Sequence, residues 1–151
     1  MNTNTMTEVD ATDRHRTKRL SRILPVTARV LMGLLFFVAG LNGFLQFIPQ
    51  PKTPMPEGAV AFAGAMMKTG YLFQLVAGTQ LLVGALLLAN RFVPLALALL
   101  APVVVNIVAF HLFLAPSGLG LAFAVLVLEL YLAWAYRDSF RPMLARQTPP
   151  S

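Results

Sequence analysis

Four long apolar stretches alternate with short polar breaks along this chain: residues 23–48, 69–89, 93–114 and 119–136. Each approaches or exceeds the ~20 helical residues that cross a hydrocarbon core of about 30 Å. They are apolar on every side and lack the period-two alternation of barrel strands, so the pattern predicts helices. Pro49, Pro51, Pro54 and Pro56 end the first stretch. Residues 57–68 follow as a weakly amphipathic piece, too short to cross and suited to the membrane interface. Asn90-Arg91 and the APSG run at 115–118 mark tight turns. Pro25 suits a first helical turn, whereas Pro102 falls inside the third stretch and predicts a kink that neighbouring helices must accommodate. The expected fold is all-α: a transmembrane four-helix bundle over residues 23–144, with a short interfacial segment between its first two helices. Short connections make successive helices antiparallel neighbours.

The ends differ. Residues 1–22 run from acidic (Glu8, Asp10, Asp13) to basic (Arg14, Arg16, Lys18, Arg19, Arg22) and hold too few apolar residues to fold alone, which predicts a disordered tail. A cleaved signal peptide fits poorly, because residues 23–48 exceed the ~7–15 residues of such an apolar region. Residues 145–151 form a second polar tail.

Charge then sets orientation. With 12% charged and 57% hydrophobic residues, the chain holds about half the charge of an ordinary soluble domain. Its net charge of +6 sits at the edges of the apolar stretches, where basic residues act as topology signals and not as a nucleic-acid surface. Four crossings place both termini and Arg91 on one side, and Lys52 and Lys68 on the other. The positive-inside rule puts the termini in the cytoplasm. Tyr71, Trp134 and Tyr136 lie near stretch ends, as interfacial anchors do. Cysteine is absent and histidine occurs only at His15 and His111, so no intrinsic metal, haem or thiolate chemistry is expected. No phosphate loop or nucleophile elbow is present.

Small residues mark where membrane helices touch. Gly33, Gly40 and Gly43 recur at near-helical spacing; Ala77, Gln80 and Gly84 share one face, as do Ala122, Leu126, Glu129, Ala133 and Tyr136. Gln80 and Glu129 are therefore expected to face the bundle interior at similar depth and to share a hydrogen bond. Glu129 is the main candidate for function, since an ionised acid at that depth costs roughly 2.5–3.5 kcal/mol on insertion scales. Arg29 is expected to snorkel toward the cytoplasmic end, at a depth that does not favour a direct pair with Glu129. Asn42, Gln46, Gln74, Asn106 and His111 all fall in the outer half. They predict a shared, mostly apolar pocket suited to a flat amphiphile such as a quinone head group. The plainer role for these amides is interhelical hydrogen bonding, worth about 0.6 kcal/mol each.

The runs TGYLFQLVAGTQLLVGALLL, RFVPLALALLAPVVVNIVAFHLFL and LELYLAWAYRDSFRPML, with GLNGFLQF in the first stretch, resemble the DoxX family of small four-helix membrane proteins. The resemblance covers roughly residues 23–144. It implies a bundle in the bacterial cytoplasmic membrane and, as in some relatives, an accessory subunit of a quinone-linked oxidoreductase whose partner proteins supply the redox chemistry. The chain departs from the pattern twice: Gln80 stands where relatives often carry an acid, and Gly43 where they often carry a basic residue. Both departures weaken any charge pair carried over to those positions. Two other functions stay open, a small transporter or channel lined by Glu129 and Gln80, and a structural or assembly protein that binds lipid or other membrane proteins.

Overall fold

A computed structural model of the chain describes residues 3–49 and 54–140, with side chains from residue 23 onward. The 145–151 tail lies outside the described residues. Every regular element described is helical: α1 (Thr3–Leu45), α2 (Glu57–Lys68), α3 (Leu72–Leu88), α4 (Val93–Phe113), a 3-10 turn at Pro116–Gly118, α5 (Leu119–Ala135) and the short α6 (Arg137–Phe140). Ile23–Leu45, Val93–Phe113 and Pro116–Ala135 are each long and apolar enough to cross a membrane. Helix α3, with 17 residues, spans only about 25 Å. It becomes a fourth candidate span when taken with α2, which meets it at a 92° bend.

The helix boundaries have local causes. Helix α1 ends where Gln46 turns left-handed at φ 50°, and the Asn42 side chain then accepts the Ile48 N–H at 2.7 Å. The α2–α3 bend uses Gly70 at φ 77°, with the Thr69 hydroxyl accepting the Leu72 N–H at 3.0 Å. Helix α3 closes in a Schellman arrangement: left-handed Asn90 donates to Leu87 C=O and Arg91 to Leu86 C=O. Two expectations change here. Helix α1 already runs from Thr3, so Pro25 lies inside it and not in its first turn. The backbone of residues 3–22, expected as a tail without structure, continues the span helically; propagating an existing helix avoids the unfavourable nucleation step that opposes an isolated one.

Helix α1 packs most extensively on α3, α3 on α4, α4 on α5, and α5 back on α1. The start of the Ile23–Leu45 stretch, the α3–α4 turn and the end of α5 lie on one face of this ring, termed the terminal face; the opposite one is the distal face. The core holds Met32, Phe36, Val83, Leu87, Leu97, Leu100 and Leu132, all nearly inaccessible. Large apolar side chains nevertheless cover the outside of every spanning helix, among them Leu31, Leu34, Leu75, Leu82, Leu99, Val105, Val127 and Leu130. An apolar surface on all sides is what lipid selects and water does not. The chain is a multi-pass membrane protein.

Glycine explains the tight α1–α3 contact. A Cβ on Gly40 would lie 2.7 Å from Ala77 O, one on Gly43 2.5 Å from Ala77 Cβ, and one on Gly84 2.8 Å from Phe37 Cβ. A side chain at any of these positions would collide with the facing helix, the packing by small residues expected where no hydrophobic effect joins helices in lipid.

Candidate functional site

The polar residues of the distal half separate into two groups. Gln80 on α3 and Asn106 and His111 on α4 converge on a cavity of about 330 Å³ between α2, α3 and α4. Gln80 and His111 also line a smaller space of about 130 Å³ between α1, α4 and α5. The other three do not join them. Asn42 is occupied in ending α1. Gln46 sits at the left-handed residue beyond that end, and Gln74 is exposed on the first turn of α3.

His111 is the most closely held of the group. Its Nδ1–H donates to the Ala115 carbonyl at 2.9 Å, since a carbonyl can only accept. In the neutral ring this leaves Nε2 as an acceptor. The ring rests on Gly118, where a Cβ would come within 2.9 Å of Nε2. Phe110 meets it edge-on at 5.3 Å and also packs against Phe62 of α2 at 5.7 Å. Phe62 and Met66 thereby wall the larger cavity from α2. Pro102 lines the same cavity. With no N–H it leaves the Ala98 carbonyl without its usual helical donor.

The contribution of α2 is absent from the sequence expectation, which reads residues 57–68 only as an interfacial piece. The signal is present in hindsight: Ala59, Phe62 and Met66 recur at i, i+3 and i+7, and Ala59 is fully buried.

The expected hydrogen bond between Gln80 and Glu129 is not made. Helices α3 and α5 stand at opposite corners of the ring. Gln80 and Ala122 line the same smaller cavity, and Glu129 is seven residues, about 10.5 Å, farther along α5 toward the terminal face. Glu129 is buried, lines neither cavity, and its Oε2 has no hydrogen-bond partner. Arg29 does not snorkel. It is buried, and its Nη1 donates to the Leu87 carbonyl in the last turn of α3.

What the distal arrangement can do is bind. Its walls are aliphatic and aromatic, two amides offer donors and acceptors, and one imidazole offers an acceptor. Among the described residues no group of three or more His, Cys, Asp or Glu side chains could hold a metal ion. No protein-family model, curated protein or solved structure matches the chain.

Proposed function

We propose that the chain forms a DoxX-like four-helix bundle in the bacterial cytoplasmic membrane, with both termini in the cytoplasm, and serves as a non-catalytic accessory subunit of a quinone-linked oxidoreductase. The cavity bounded by α2, α3 and α4 carries this reading. Its volume of about 330 Å³ lies at the lower end of the ~300–1,000 Å³ usual for small-molecule sites. A quinone ring is flat and apolar with oxygens at opposite edges. The amides of Gln80 and Asn106 can donate to those oxygens, and a quinol hydroxyl can donate to His111 Nε2. On this reading a partner protein supplies the electrons, and the chain contributes the binding surface.

The test is purification in mild detergent followed by mass spectrometry of co-purifying proteins and extracted isoprenoid quinones. The proposal expects quinone in stoichiometric amount and a membrane oxidoreductase subunit alongside. The chain recovered alone with bulk phospholipid overturns it.

A further inference from the structure

The distal cavity leaves unused the two charged residues that the helices bury, Arg29 (7% exposed) and Glu129 (6% exposed). Arg29 donates to the Leu87 carbonyl at the negative end of the α3 dipole. Its Nε–H and the Oε2 of Glu129 are both buried without a hydrogen-bond partner. An arginine does not shed its proton inside a protein, so its burial calls for a counter-charge that one carbonyl does not provide.

Glu129 is the one buried acid among the described residues, and the pairing of α1 with α5 gives its level. Phe36 of α1 and Ala122 of α5 line the same small cavity. Arg29 precedes Phe36 by seven residues and Glu129 follows Ala122 by seven. The helices are antiparallel, so with Phe36 set opposite Ala122 both groups stand about 10.5 Å nearer the terminal face. Seven residues is close to two full turns, so each keeps its predecessor's side of the helix.

We propose that Arg29, the Leu87 carbonyl and Glu129 form a second polar site, in which water joins the guanidinium to the carboxylate and the two residues act as one charge-compensated unit. A buried water needs two to four polar partners, and Nε–H, Oε2 and the Leu87 carbonyl supply them.

The test uses the full-length chain in lipid nanodiscs. Arg29→Met and Glu129→Leu each strand one buried charge, and each is expected to lower the folded-to-unfolded ratio at least about tenfold. The combined variant is expected to recover most of that loss; losses that simply multiply overturn the proposal. Should a single variant fail to insert, infrared spectroscopy decides. The difference between wild type and Glu129→Gln is expected to show ionised carboxylate bands that shift in Arg29→Lys and in isotopically labelled water. A protonated carboxylic-acid band indifferent to both overturns the assignment. Neither readout involves quinone, so this site stands or falls apart from the functional reading.

Discussion

At the scale of single residues, the absence of a side chain matters as much as its presence. Gly84→Ala places a methyl group against the Phe37 backbone and side chain, so α1 and α3 must separate. It is expected to destabilise the protein by about 1–3 kcal/mol, as overpacking does in tight cores. Gly64→Ala and Gly120→Ala meet nothing within 4 Å and are expected to be neutral, or stabilising by up to ~1 kcal/mol. Thermal unfolding in detergent separates the two groups; equal effects would refute the close-packing account. His111→Phe keeps the ring against Gly118 but removes the donor to Ala115. It is expected to lose about 1 kcal/mol of stability and to lower quinone retention by roughly tenfold. Extraction and quantification of bound quinone from matched preparations measures the second effect.

At the scale of elements, the 92° turn between α2 and α3 decides whether a cavity exists at all. Gly70 holds that turn with a left-handed backbone. Gly70→Val is expected to cost about 1–2 kcal/mol and to shift α2 away from α4. Cross-linking between cysteines placed at positions 62 and 110, whose rings lie 5.7 Å apart, reports the shift. Loss of cross-linking in Gly70→Val with retention in Gly64→Val is the expected pattern. Phe62→Ala leaves the turn intact and removes only the wall, so it is expected to weaken quinone retention without changing the span helices, seen as an unaltered far-ultraviolet circular dichroism spectrum.

At the scale of the whole molecule, the apolar outer surface and the basic termini act together. Arg91 and the basic residues flanking Ile23 belong to the terminal face. On the positive-inside rule, reporters fused at either end are expected to read cytoplasm. A variant with four lysines inserted between residues 49 and 56 is expected to invert or split that orientation. Termini that report opposite sides would remove one crossing from the fold. The chain is also expected to stay in the membrane pellet after alkaline washing, because leucines, valines and phenylalanines are exposed on the outside of its long helices.

Local physics made much of this legible from the chain alone. Apolar run length separated the spanning helices, proline and Asn-Arg breaks set their limits, and small-residue spacing identified Gly40, Gly43, Ala77 and Gly84 as contact points, because each of these signals acts within one helix. What faces what across the ring was decided only by tertiary packing. Packing separated Glu129 from Gln80, gave Asn42 to a helix end, and brought α2 over the cavity. Those relations depend on how far antiparallel helices slide past one another, and close backbone packing sets that slide by side-chain volumes on several helices at once. No single stretch of sequence carries that information.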